Sequence, residues 1–258
     1  MTVLLVERRL PAVILTLNRP DKQNALDHAT FDALEAELAR IDADPEIRGV
    51  VLTGNEKVFS TGGDLAQALA IETIVETKFW LDRFARVNAK LEALTKPVIA
   101  AIHGYCLTGG LELALCCDVR IAATTSKFGV TSSRIGTVAG AGATQRLARL
   151  IGPEWTKELL FSGEFIDAEK ALRIGMISEV LPPAEVVPAA LARIDTYAKR
   201  APLSVWYAKL AVNNGLQMDL QSGLNYERQL TTGLFATEDR KEGMAAFLEK
   251  RTAKFKGR

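Results

Sequence analysis

Two kinds of residue in this 258-residue chain could do chemistry together: glycines that follow apolar runs and a glutamate one helical turn beyond one of them. Gly63 follows the apolar run Gly49–Gly54 and the loop Ser60-Thr61-Gly62-Gly63-Asp64. Gly109 follows the apolar run Val98–Ile102 and the loop 103–108. A helix start leaves backbone N–H groups unpaired and carries partial positive charge, and glycine lets a ligand approach that backbone closely. Two such turns can aim two N–H groups at one oxygen and stabilise an oxyanion, commonly by ~3 kcal/mol per donor. The alternative is that both are only tight connections. Glu112 lies three residues after Gly109. Helical side chains lean toward the N-terminus, so its carboxylate either reaches a ligand held at Gly109 and acts as a base, or serves as an acidic first-turn residue.

The elements that must position these residues are legible from periodicity. Val3–Arg8 and Ala12–Leu17 read as a hairpin around a turn at Arg9–Pro11. Phe31, Leu34, Leu38 and Ile41 recur at helical intervals within Asp27–Asp42. Gly49–Gly54 is a short buried strand, then a glycine loop, then a possible helix. The pattern recurs as a helix over Thr77–Leu94, a strand over Val98–Ile102, a loop over 103–108, and Gly109-Gly110 opening the apolar run Leu111–Cys117. Further strands are expected at Asp118–Ala123, near Phe128 and at Ile177–Leu181. A glycine-rich stretch from Gly136 to Gly142 precedes a helix containing Gln145, Arg146 and Leu150, and helices dominate beyond Pro153. No low-complexity linker interrupts the chain, so residues 1–195 are expected to form the core and 196–258 a helical region appended to it.

Composition narrows the function classes. Hydrophobic residues make up 48% and charged residues 24%, ordinary values for a globular chain. Lys plus Arg number 32 against 31 Asp plus Glu, which leaves no overall field for nucleic acid or an anionic membrane, so any attraction to an anion must be local. No apolar stretch reaches the length of a membrane span and the start lacks a leader pattern, so a cytoplasmic location is expected. Cys106, Cys116 and Cys117 read as buried small hydrophobes. His28 and His103 lie in no zinc-binding spacing, and no metal is expected.

Several ordered segments resemble the crotonase superfamily, of the enoyl-CoA hydratase/isomerase type, over nearly the whole length. They are Leu15-Thr16-Leu17-Asn18-Arg19-Pro20 with Asn24-Ala25-Leu26, Phe59-Ser60-Thr61-Gly62-Gly63-Asp64-Leu65, Lys96-Pro97-Val98-Ile99-Ala100-Ala101-Ile102-His103-Gly104-Tyr105, Gly109-Gly110-Leu111-Glu112-Leu113-Ala114, Gly140-Ala141-Gly142-Ala143-Thr144-Gln145-Arg146-Leu147, and Phe247-Leu248-Glu249-Lys250-Arg251. The resemblance implies an α/β fold, a spiral of ββα turns with C-terminal helices that assemble trimers, often paired into hexamers. It implies an acyl-CoA thioester substrate and no separate cofactor, coenzyme A being part of the substrate. It assigns the oxyanion hole to the N–H groups of Gly63 and Gly109 and substrate or coenzyme A contacts to Lys22, Ala25, Ser60, Gly62, Asp64, Leu65, Tyr105, Leu107, Gly110 and Gly140. Glu112 matches the first of two hydratase glutamates that position and activate the water adding at the β-carbon.

The second of those glutamates follows a Phe-Gly pair by three residues, and here Phe128-Gly129 is followed by Val130-Thr131-Ser132. Ser132 therefore stands in its place, and a hydroxyl cannot replace a carboxylic acid as a ready proton source. The preferred expectation is hydration of an enoyl-CoA with Glu112 handling a single water and Ser132 orienting water or substrate. The alternatives are another enolate reaction of a CoA thioester (isomerisation, decarboxylation or hydrolysis) and a homologue that binds acyl-CoA without turnover. Arg134, where relatives carry an apolar residue, either pairs with a polar group of the substrate or forms a surface ion pair. Ala139 replaces a proline of the family. The basic residues Lys250, Arg251, Lys254, Lys256 and Arg258 read as a solvated helix face and tail.

Overall fold

The computed structural model describes residues 2–258. The chain opens with an antiparallel hairpin of β1 (Leu4–Arg9) and β2 (Ala12–Leu17), then α1 (His28–Ala43). Asp27 caps α1 by accepting from the N–H of Thr30, and the helix buries Phe31, Leu34, Leu38 and Ile41, the face read from the sequence. Three ββα turns follow. The first is β3 (Gly49–Thr53), β4 (Val58–Ser60), the short α2 (Leu65–Leu69) and α3 (Ile74–Ala93). The second is β5 (Val98–Ile102), β6 (Tyr105–Leu107) and α4 (Gly109–Leu115); the third is β7 (Val119–Ala123), β8 (Lys127–Gly129) and α5 (Ala143–Ser162), which bends at Gly152-Pro153. Then come β9 (Ile166–Asp167), α6 (Ala168–Arg173), β10 (Glu179–Leu181), α7 (Val186–Ala198), α8 (Pro202–Gly215), α9 (Leu220–Leu234) and α10 (Glu238–Leu248).

Within each turn the first strand joins one sheet and the second joins another. The larger sheet has the order β1-β2-β3-β5-β7-β10 and the smaller β4-β6-β8-β9; β3, β5 and β7 run parallel, as do β4, β6 and β8. This is a spiral of ββα turns, the α/β architecture anticipated from the sequence. Every residue of β3 and β5 is buried, because both faces of the larger sheet are covered. One face sends Val50, Leu52, Val98, Ala100 and Ile102 against Leu34, Leu38, Val87 and Leu91; the other sends Val51, Ile99, Ala101 and Ile121 against Val186, Ala190 and Ile194 of α7.

Two expectations need correction. Residues 103–108 are not simply a loop: Tyr105–Leu107 forms β6, paired on both sides by β4 and β8, with Cys106 and Leu107 buried. Three residues are too few for an alternation to show in sequence. The helix expected from Thr77 begins at Ile74, because Thr73 and Glu76 form a reciprocal capping box that nucleates an earlier turn.

The C-terminal helices tie into the core through Lys209, whose ammonium donates to the carbonyls of Leu91 and Lys96 and pairs with Asp118 at 3.0 Å. Leu216, Leu220, Leu224, Phe235, Phe247 and Leu248 remain exposed on α8–α10 and the turns beside them. Among the described residues no helix is long and apolar enough to cross a membrane.

Leu34 is fully buried between α1 and the sheet. Replacing it with alanine is expected to cost about 2–5 kcal/mol, read as a lower urea midpoint at unchanged denaturant slope.

Candidate functional site

Parallel pairing of β4 with β6 brings the chain leaving each strand to the same place. The turn after β4 carries Gly62 and Gly63, and the turn after β6 carries Thr108 and Gly109. A Cβ added at Gly62 would lie 2.9 Å from the Gly109 nitrogen, and one added at Gly109 would lie 3.2 Å from the Gly63 nitrogen. The two backbones thus touch with no room for a side chain between them. Among the described residues, neither the Gly63 N–H nor the Gly109 N–H donates to a partner in the protein. Two neighbouring unpaired donors can receive an oxygen on which negative charge develops. Phe84 of α3 underlies both glycines and Trp80 adds to Gly63, closing the apolar side.

The first turn is braced by the segment before α1. The side-chain amide of Asn24 donates to the carbonyls of Val58 and Phe59, and its Oδ1 accepts from the N–H of Arg19. The Ser60 hydroxyl donates to the Asn24 carbonyl and accepts from the Gly62 N–H. Arg19 pairs with Asp27 at 3.2 Å and Asp64 at 3.0 Å and donates to the Ala25 carbonyl. Asp64 also accepts from the Ala66 and Gln67 N–H groups at the start of α2. The side chains of Ser60 and Asp64, singled out as substrate contacts, are therefore engaged within the protein. Lys22, exposed, and Ala25, half-buried, sit on the braced segment, and Leu65 is exposed at the start of α2.

Glu112, in the first turn of α4, is 2% exposed. Its Oε1 accepts from the N–H groups of Ala141 at 2.8 Å and Ala143 at 2.9 Å, while Oε2 has no partner among the described residues. Burial pushes the carboxyl above its ordinary range; the Ala143 and Ala141 N–H groups and the Arg146 charge oppose that shift only in part. The loop that grips it is itself held: the Ala141 carbonyl accepts from Asn88 of α3 and from Arg146, whose guanidinium is paired with Glu92 at 2.6 Å and 2.8 Å. Leu81 of α3 packs against Gly140. Gly110 lies against Ser60, whose Cβ would be 2.7 Å from an added Cβ. A carboxylate so placed, half satisfied and half free, can hold a water and exchange a proton with it.

Ser132 is 4% exposed, at the start of a 3₁₀ turn, Ser132–Ile135. Its carbonyl accepts from Thr137, and its hydroxyl makes no hydrogen bond among the described residues. Arg134 follows the surface alternative left open by the sequence. Its guanidinium pairs with Glu164 at 2.8 Å and lies 5.2 Å over the Phe165 ring, which in turn stacks edgewise on Tyr105. Tyr105 is half exposed on this outer side and Leu107 is buried. Ala139 is 6% exposed. Among the described residues no group of three or more His, Cys, Asp and Glu side chains comes together.

Sequence reasoning missed the supports. Arg19, Asn24 and Arg146 lie inside the motifs quoted above but were given no role, and Asn88 lies outside them. Thr108 escaped notice although it joins the two chemical regions. It adopts φ 44°, ψ −115°, a conformation costing on the order of 1–3 kcal/mol for a β-branched residue. Its Oγ1 lies 2.9 Å from that of Thr131 and accepts from the Thr131 N–H at 3.1 Å. Only the backbone conformation reveals it.

A sequence profile described as enoyl-CoA hydratase/isomerase matches residues 11–258. The chain is 42% identical over 258 residues, all of both chains, to the 2,3-dehydroadipyl-CoA hydratase of Escherichia coli strain K12. It is 38% identical over 248 residues, 96% of this chain and 95% of the relative, to a short-chain-enoyl-CoA hydratase of Clostridium acetobutylicum. The crystal structure of an enoyl-CoA hydratase from Bacillus anthracis superposes with a TM-score of 0.95 at 37% identity, covering 99% of this chain and 100% of the other. With a family match across almost the entire chain, relatives of equal length and the same spiral fold, this protein is an enzyme of the enoyl-CoA hydratase/isomerase family.

Proposed function

We propose that the enzyme adds water to the double bond of an enoyl-CoA thioester, or eliminates it, through an enolate held by the N–H groups of Gly63 and Gly109. The observation that carries this reading is the pair of unpaired N–H groups beside a turn of helix bearing a buried, half-satisfied carboxylate. The family relatives named as hydratases support the same reaction class.

In this reading the thioester oxygen sits on the two N–H groups, which are worth most when charge moves onto it as the enolate forms. Water lies against the free Oε2 of Glu112. The carboxylate takes a proton as the hydroxyl adds to Cβ, then returns a proton to Cα as the enolate collapses. Ser132 supplies a hydroxyl with no other partner, which orients the water but cannot act as an acid near neutral pH. Coenzyme A would run past Lys22 and the Ala25 and Leu65 backbone, with Lys22 as an exchangeable phosphate contact. The apolar residues left exposed on α8–α10 support assembly into trimers or hexamers through residues 196–258. A cytoplasmic location, expected from the sequence, is part of this reading.

Loss of the conjugated enone absorbance of crotonyl-CoA tests the reaction. Measurable hydration is expected, and Glu112→Gln should lower kcat by about 10²–10⁴ while acyl-CoA binding changes little, since a glutamine oxygen still accepts from Ala141 and Ala143. Equal activity in that variant would remove Glu112 from the mechanism.

The raised pKa of Glu112 sets the direction of the pH dependence. The working base must be ionised, so kcat/KM should fall as pH drops through a value above that of an ordinary glutamate. The same shift opposes stability: the contribution of the protonated, buried group is complete below the unfolded pKa and is lost as pH rises through the folded one. An acid limb at or below the ordinary glutamate value would contradict the assignment. Ser132→Glu restores a second carboxyl and is expected to raise kcat, whereas Ser132→Ala should lower it less than Glu112→Gln does; steady-state rates on crotonyl-CoA decide both.

A further inference from the structure

The orientation of the Gly109 N–H is fixed by one torsion, the ψ of Thr108, because that angle turns the peptide plane shared by the Thr108 carbonyl and the Gly109 N–H. At φ 44° and ψ −115° this threonine is in a region that residues with a Cβ seldom occupy, so something must hold it there. Four contacts do. Its N–H donates to the Gly129 carbonyl at 2.9 Å, and its carbonyl accepts from the Glu112 N–H at 2.8 Å. Its Oγ1 accepts from the Thr131 N–H at 3.1 Å and shares a 2.9 Å hydrogen bond with the Thr131 hydroxyl. Its Cβ lies 3.3 Å from where a Cβ on Gly62 would be. The Thr108 side chain does not cap its own helix; both of its hydrogen bonds cross to Thr131, the residue before Ser132.

We infer that the Thr108–Thr131 hydroxyl pair is a positioning clasp that holds the Gly109 N–H on the thioester oxygen and ties it to the turn carrying Ser132. The inference rests on the oxyanion role of Gly63 and Gly109 stated above. Neither threonine touches the reacting atoms; each acts through the Gly109 peptide. The clasp also sets where Ser132 stands relative to the held thioester, since Thr131 and Ser132 are consecutive and their turn is anchored to α4 at Thr108. Removing either hydroxyl leaves a backbone conformation that the remaining contacts must hold alone, and Thr108 then relaxes toward ordinary torsions, rotating the Gly109 N–H off its target.

The test uses butyryl-CoA labelled with carbon-13 at the thioester carbonyl, a saturated ligand that no hydration can consume, with the bound C=O stretch read by isotope-edited infrared difference spectroscopy. The wild-type enzyme should shift that stretch to lower frequency than free butyryl-CoA. Thr108→Val and Thr131→Val, which preserve shape and remove the hydroxyl, should each lose most of the shift, with the double variant no worse than the weaker single one. Thr108→Ser should recover what Thr108→Val loses. On crotonyl-CoA the same valine variants should lower kcat by about tenfold to a hundredfold with little change in KM, the pattern of a misaimed transition-state contact rather than lost binding. Thr131 is half exposed and outside α4, so Thr131→Val carries the test even where Thr108→Val folds poorly. Valine variants that keep the full carbonyl shift would overturn the clasp while leaving the oxyanion hole intact. A wild-type enzyme that binds butyryl-CoA without any shift would overturn the oxyanion reading and the clasp with it.

Discussion

Everything at the site depends on two stretches of backbone touching. Gly62-Gly63 and Gly109 meet because β4 and β6 are neighbours in a parallel sheet, so the chain leaving one strand emerges beside the chain leaving the next, roughly one strand spacing of about 4.8 Å away. At that separation a side chain on either turn collides with the other turn, and α3 closes the remaining space with Trp80 and Phe84. Residues 19–27 exist to hold this contact. Asn24 and Arg19 replace the water that the turn would otherwise need, satisfying the carbonyls of Val58 and Phe59 and neutralising Asp27 and Asp64 in a half-buried setting.

The second constraint is the cost of burying the Glu112 carboxylate. A carboxylate at 2% exposure is tolerable only with donors, and the loop at 140–143 offers two backbone N–H groups to one of its oxygens. Those donors are steady because the same loop is fixed from behind by Asn88 and by the Arg146–Glu92 pair. Helix α3 therefore serves both halves of the site. Its Trp80 and Phe84 face the glycine turns, and one turn further along Asn88 reaches the loop that grips Glu112. Motion of α3 would disturb the glycine turns and the grip on Glu112 together, and a capping box fixes the start of the helix.

Between these two regions lies the turn that carries Ser132. On the proposal that Ser132 stands where hydratases carry a second glutamate, the site holds one buried carboxyl and is spared the repulsion between two like charges in low dielectric. The Glu112 carboxyl is raised by its own burial, opposed in part by the Ala143 and Ala141 amides and the Arg146 charge. In the proposed reaction a single base that gives back the proton it took needs no second acid, but it needs the water and the thioester held in register. The Thr108–Thr131 contact spans from the Gly109 turn to the Ser132 turn, where the proposed clasp sets that register.

How much of this was legible in advance depended on whether the information was periodic or local. The face of α1, the buried strands β3 and β5, the glycine turns and Glu112 all follow from residue type and spacing, because apolar periodicity and glycine report directly on burial and close approach. The serine at position 132 was visible only through the family resemblance, in which the Phe128-Gly129 pair marks the place. The three-residue strand β6 was not, being too short for alternation, and neither was the commitment of Ser60 to the Asn24 carbonyl and of Asp64 to the Arg19 guanidinium, partners 36 and 45 residues away. Arg134 had two readings that only the position of Glu164 and Phe165 could separate. Sequence by itself determined the family, the spiral and the chemical groups on offer. Tertiary structure alone decided which hydroxyls and charges are already spent on one another, because a hydrogen bond between distant residues leaves no periodic trace in the chain.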